Sequence, residues 1–169
     1  LHIHTWESDG INTVTDAYRY GRDFAALDFC SISDHKEGVE APARNATIQA
    51  LDEGRYVTFS GFEASGVGKD KGHVNVYFLD DSEKYDNIWD RSATRREVWN
   101  TFRSVAPGKV LAIPHSHAGG GWDYMDDEII RLCEVYSIWG NSEVRDPEYR
   151  PYLRDGAPNR RIYQEGLQR

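Results

Sequence analysis

No apolar run in this chain approaches the ~20 residues that a membrane-spanning helix needs, so no bilayer insertion is expected. A basic excess is missing too. The formal charge of −8 leaves no cationic face to neutralise phosphates, which argues against a nucleic-acid partner, and bound divalent cations would offset part of it. Cysteine is scarce. Cys30 and Cys133 lack the C-x-x-C pairing of a thiolate zinc site, and both lie in apolar, strand-like runs. Buried free thiols are therefore expected, in a reducing compartment such as the cytoplasm. There is no G-x-S-x-G elbow for a serine hydrolase. Gly66-Val67-Gly68 and Gly119-Gly120-Gly121 lack the Lys-Ser/Thr of a phosphate loop. No repeat, low-complexity tract or linker divides residues 1–169, so a single domain is expected.

What is present is globular. Hydrophobic residues make up 39% of the chain, with five Trp and ten Tyr, enough for a sizeable core. Leu1 to Thr5 reads as a first strand. Thr13 with Asp16 resembles a capping box, and Val14, Ala17, Tyr18, Gly21, Ala25 and Leu27 follow at helical spacing. Strands are expected at Phe29 to Ser33, Tyr56 to Phe62, His73 to Leu79, Val110 to Ile113 and Leu132 to Ser137. Further helices are expected at Ala43 to Leu51, from Thr94 to Pro107-Gly108, and at Asp126 to Arg131. After Trp139 the chain is polar and poorly periodic, with a last helix from Asn159. Strands alternating with helices imply βα units and a mostly parallel sheet, open or closed into a barrel.

The histidines are sorted. His2, His4, His35, His73, His115 and His117 all fall at the start or end of a predicted strand. In parallel βα architectures the carboxyl ends of strands form the functional face, where ligands distant in sequence converge. His2 and His4 are one residue apart on an extended stretch, so both imidazoles point the same way. His73 opens its strand, and joins the others only if the loop from Gly66 to Gly72 lies near them. Imidazole and carboxylate donors suit Zn²⁺, Mn²⁺ or Fe. Glu63 closes an apolar strand, where a buried carboxylate is costly without a cation, and it is the expected bridge between two cations. Asp9 is a further ligand, or else an Asx-type turn before Gly10. Asp34 is more simply read as holding a ligand histidine from behind. His117 is a ligand or a loop residue, and Glu134 either serves the site or forms a buried ion pair.

His2-Ile3-His4 with Ser8-Asp9-Gly10, Asp34-His35, Gly61-Phe62-Glu63, Gly72-His73-Val74-Asn75 and Pro114-His115 stand in one order over most of the chain. Together they resemble the PHP family, the polymerase and histidinol phosphatase domain. Gly140-Asn141-Ser142-Glu143 and the stretch from Tyr152 to Pro158 look closest to its carbaryl-hydrolase-like metallohydrolase branch. The resemblance implies a distorted (β/α)7 barrel with two or three divalent metal ions. His2, His4 and Glu63 would hold the first, Glu63, His73 and His115 the second, and Asp9 and His35 would contribute to a third. His117 has no firm role in the family. The family closes its site with Asp-x-His on a last strand, and no histidine follows His117. The chain also opens without Met, and we expect it to be truncated at both ends with its barrel incomplete.

The function expected is metal-dependent hydrolysis of a small-molecule ester. Phosphate esters lead, with carboxyl or carbamate esters as the branch-level alternative and a non-catalytic metal-binding module as the other. Two cations held through Glu63 would activate a water, and His35 or Asp9 would protonate the leaving group. Lys36, Lys69, Lys71 and Arg145 are candidates for an anionic group, although solvation of a surface is the simpler account of each.

Overall fold

The computed structural model describes residues 1–35, 46–47, 49–65, 73–79, 93–115, 125–137 and 140–141. They are mixed α/β, with four strands in the order β1-β2-β3-β4: Phe29–Ser31, Val57–Ser65, His73–Phe78 and Val110–His115. The chain forms two compact units, residues 1–64 with 75–87, and residues 65–74 with 88–169. Among the described residues no helix is long and apolar enough to cross a membrane.

In the first unit, α1 (Val14–Arg19) starts where the capping pattern places it. Thr13 accepts the Asp16 amide at 3.0 Å, and its hydroxyl donates to the Asp16 carboxylate at 2.7 Å. The α-helix does not continue to Leu27. It widens into a π-helical turn, Tyr20–Phe24. The Tyr56 hydroxyl donates to the Tyr18 carbonyl at 3.2 Å, so a side chain occupies an acceptor of the helix ladder, a recognised cause of such a bulge.

Strand β1 pairs with β2 in parallel, Phe29 opposite Val57 and Ser31 opposite Phe59. Val14, Tyr18, Cys30, Ile32 and Tyr56 form the core under α1. The Tyr18 hydroxyl reaches Thr47 at 3.0 Å, and burial pushes it up to about 12. Leu1 to Thr5 lies against the end of β1 without forming a ladder strand. Ser33 donates its amide to the Ile3 carbonyl at 2.8 Å, while the Ile3 amide is taken by the Ser33 hydroxyl at 3.1 Å. A side chain has replaced the return rung of the ladder.

The two faces of β2 and β3 differ. The Phe62 and Phe78 rings meet at 5.9 Å on one face. On the other, a Cβ at Gly61 would stand 2.6 Å from the Tyr77 ring and 2.9 Å from the Ser31 hydroxyl, so only glycine fits. Side chains alternate along a strand, so Gly61 and Glu63 share this second face with Asn75 and Tyr77. Tyr77 crosses it and donates to the Leu1 carbonyl at 2.6 Å. That face is polar and leads to the histidines.

In the second unit, α2 (Arg95–Val105) opens with a full capping box between Thr94 and Glu97. Val98, Trp99 and Phe102 are buried at helical spacing, as their pattern requires. Strand β4 extends beyond Ile113 to His115. The helix expected from Asp126 to Arg131 is only a turn, in which the Ile129 and Ile130 amides converge on the Asp126 carbonyl at 3.1 and 2.7 Å. The strand expected from Leu132 to Ser137 shrinks to β5 (Tyr136–Ser137), a two-residue hairpin partner of β6 (Gly140–Asn141). Cys30 is buried and free as expected; Cys133 is free but exposed, because its segment forms no buried strand. Of the helix expected over residues 43–51, residues 46, 47, 49 and 50 are described and helical, and Leu51 is described and lies outside it. The tail after Trp139 is described only at 140–141, and its expected helix lies outside the described residues.

Candidate metal centre

Three elements of the first unit meet at one point. The extended N-terminal stretch brings His2 and His4, the segment after β1 brings Asp34 and His35, and β2 brings Glu63. A backbone bond from the Glu63 amide to the Asp34 carbonyl, 2.8 Å, ties the second to the third.

Glu63 is 2% exposed. Its Oε2 stands 2.8 Å from His4 Nε2 and 3.4 Å from His2 Nε2, and those two nitrogens are 3.0 Å apart. Nitrogen and oxygen ligands about 2.0–2.2 Å from a cation, at angles from about 90° to 109°, stand about 2.8–3.6 Å from one another. The triangle therefore has the edges of a coordination face, and its two imidazoles and one carboxylate suit a borderline divalent cation. The donor set fits.

The rest of the cluster orients these donors. His4 Nδ1 donates to Asp9 Oδ1 at 2.7 Å, which leaves Nε2 turned onto Glu63, the carboxylate–histidine arrangement usual behind a metal ligand. His35 reaches both carboxylates, with Nδ1 3.6 Å from Glu63 and Nε2 3.5 Å from Asp9, and its ring meets that of His4 edge-on at 4.7 Å. His2–His4–Glu63 and His4–Asp9–His35 are thus two candidate ligand groups that share His4.

Charge follows from this geometry. Burial alone works against an imidazolium at His4, but the hydrogen bond to Glu63 and that carboxylate's charge outweigh it, and His4 titrates above its ordinary value. Slight burial of Asp9 is outweighed by its bond to His4 and by the histidine charges, which hold its carboxyl below the usual range.

Asp34 plays a different part from the one expected. It does not hold His35 from behind. It is 1% exposed and grips the loop that follows His4. Its carboxylate accepts from the Thr5 amide, the Thr5 hydroxyl and the Ser8 hydroxyl, each at 2.6 Å. The loop then doubles back so tightly that a Cβ at Gly10 would lie 2.2 Å from the His4 carbonyl oxygen. Asp9 is thereby placed beside His4, with the Gly10 amide bonded to the Thr5 carbonyl at 2.8 Å. Thr5 and Ser8 were not singled out as functional from the sequence. Their signal was the small polar spacing around Asp9-Gly10, which identifies a turn and not its partner.

His73 opens β3 in the second unit and is half-buried. Strand β4 ends on His115, whose side chain lies outside the described residues, as does His117. Lys36, Lys69, Lys71 and Arg145 also lie outside them. Glu134 donates its amide to the Pro114 carbonyl at 3.2 Å, beside the end of β4.

No family model matches the chain, and no curated protein matches it. Among solved structures the chain is similar to a crystal structure of a candidate metal-dependent phosphoesterase from Bifidobacterium adolescentis. The identity is 14% and the TM-score 0.48, over 80% of this chain and 76% of that one.

Proposed function

We propose that this protein is a metal-dependent hydrolase of small-molecule esters, phosphate esters first, built on a distorted (β/α)7 barrel of the PHP type. The observation that carries the reading is the triangle of His2, His4 and Glu63, with edges of 3.0, 3.4 and 2.8 Å around a nearly inaccessible carboxylate. Three such groups, of which one is buried and anionic, are costly to gather unless a cation balances them. His2, His4 and Glu63 would hold one divalent ion, with Asp9 and His35 serving another.

Zn²⁺, Mn²⁺ or Fe bound there would supply Lewis acidity, lowering the pKa of a water and polarising the ester oxygen. The chain's own groups do the rest. Glu63 and Asp9 fix the His4 ring from both nitrogens. His35, half-buried and near both carboxylates, would hand a proton to a departing oxygen. The −8 charge favours a small substrate over a nucleic acid.

The test joins metal content to turnover. Protein loaded with Zn²⁺ or Mn²⁺ is assayed for bound metal and for hydrolysis of an aryl phosphate, an aryl acetate and an aryl carbamate. Bound metal with aryl phosphate turnover supports the reading. Turnover of the acetate or carbamate alone moves the substrate class to carboxyl or carbamate esters, and bound metal with no turnover of any of the three overturns the enzyme reading.

A further inference from the structure

Asn75 is 1% exposed, and its Oδ1 has no hydrogen-bond partner. A buried carbonyl oxygen left in this state costs free energy, and in a native fold it calls for a reason. Its position offers one. Asn75 lies on β3, the neighbour of β2, on the face of Gly61, Glu63 and Tyr77. Both flanking groups of that face reach the His-x-His stretch, Glu63 through its contacts to His2 and His4, and Tyr77 through the Leu1 carbonyl. The unpartnered oxygen thus sits in the polar layer that supports the candidate ligands. The opposite face of the same strands, with Phe62, Val74, Val76 and Phe78 all buried, has no use for a carboxamide.

We infer that Asn75 is a positioning residue of this cluster, whose Oδ1 accepts a hydrogen bond from a water that enters with a divalent cation beside Glu63. The inference rests on the metal-dependent reading above and adds to it. Waters that fill such a place make about three hydrogen bonds to otherwise unsatisfied polar groups, and a buried amide oxygen is a fitting acceptor. Partners that act behind a ligand in this way typically account for 10–100-fold in cation affinity.

The test compares wild type with Asn75→Leu and Asn75→Asp. Mn²⁺ affinity is measured by calorimetry, retained water by the proton relaxation of bound Mn²⁺, and stability by thermal unfolding in chelator. Asn75→Leu should weaken Mn²⁺ about tenfold or more and lower the number of retained waters, while raising the unfolding temperature of the cation-free protein by removing a buried unpaired oxygen. Asn75→Asp keeps an acceptor and should bind Mn²⁺ at least as tightly as wild type. If Asn75→Leu does not fold, Asn75→Ala takes its place with the same expected loss. Wild-type Mn²⁺ affinity and retained water in the Leu or Ala variant overturn the inference and leave the metal-dependent reading standing. Absence of Mn²⁺ binding in the wild type overturns that reading itself, and this inference with it.

Discussion

Replacing Glu63 by Gln keeps the shape of the side chain and removes its charge at the point where three imidazoles gather. Its Oε2 lies 2.8 Å from His4 Nε2, close enough for a charge-assisted hydrogen bond, at a side chain only 2% exposed. A bond of that kind contributes about 1.5–3 kcal/mol. In the cation-free protein at about pH 5.5, where His4 carries its proton, Glu63→Gln should lower stability by about that amount. At a pH above the raised folded value of His4 the imidazolium is gone while the buried carboxylate of the wild type remains costly, so the difference should shrink towards zero. Cation binding should fall as well, since the amide is a poor ligand and cannot bridge. Losing a partner behind a ligand costs 10–100-fold, so losing Glu63 itself should cost about 100-fold or more. Urea unfolding in chelator at both pH values measures the first effect, and Mn²⁺ calorimetry the second. A Glu63→Gln protein that binds Mn²⁺ as the wild type does would refute the ligand assignment. A stability loss equal at both pH values would refute the electrostatic account of His4.

Other substitutions separate the scaffold from the donors. Asp34→Asn turns an amide group towards one of three donors now held at 2.6 Å, and should cost about 2 kcal/mol in urea unfolding while weakening Mn²⁺, because the loop bearing Asp9 loosens. Gly10→Ala drives a methyl against the His4 carbonyl oxygen, and should cost about 2 kcal/mol or more by the same measurement, since backbone rather than a pliant side chain must move. The pH profile of the cation-free protein has a definite sign. His4 is raised in the folded state, so its contribution is complete below about pH 6.5 and is lost as pH climbs through the folded value. Asp9 is depressed, so its contribution is present above the unfolded value of 3.8 and is lost as pH falls through the folded one. The thermal unfolding temperature in chelator should therefore be highest between those limits, and His4→Gln should flatten the alkaline side. Because a cation must displace the His4 proton, Mn²⁺ binding near neutral pH should release protons, detectable as buffer-dependent heat.

Donor types and local signals were legible from the sequence, and non-local pairing was not. The Thr13 and Thr94 caps and the apolar stripe of α2 follow from spacing, because they depend on neighbours within a turn. The spacing of His2 and His4 likewise directed two imidazoles to one place, and an apolar run ending in Glu63 identified a carboxylate that would be buried. Tertiary structure decided what those groups meet. Asp34 belongs to Thr5 and Ser8, 29 and 26 residues away, and no periodicity encodes that match. The Tyr56 hydroxyl converts the second half of a predicted α-helix into a π turn from 38 residues away. Cys133 is exposed because the segment around it forms no buried strand. Local pattern sets backbone conformation and residue chemistry; a hydrogen bond between distant groups exists only once the chain has closed on itself, and that closure placed three imidazoles around one buried carboxylate oxygen.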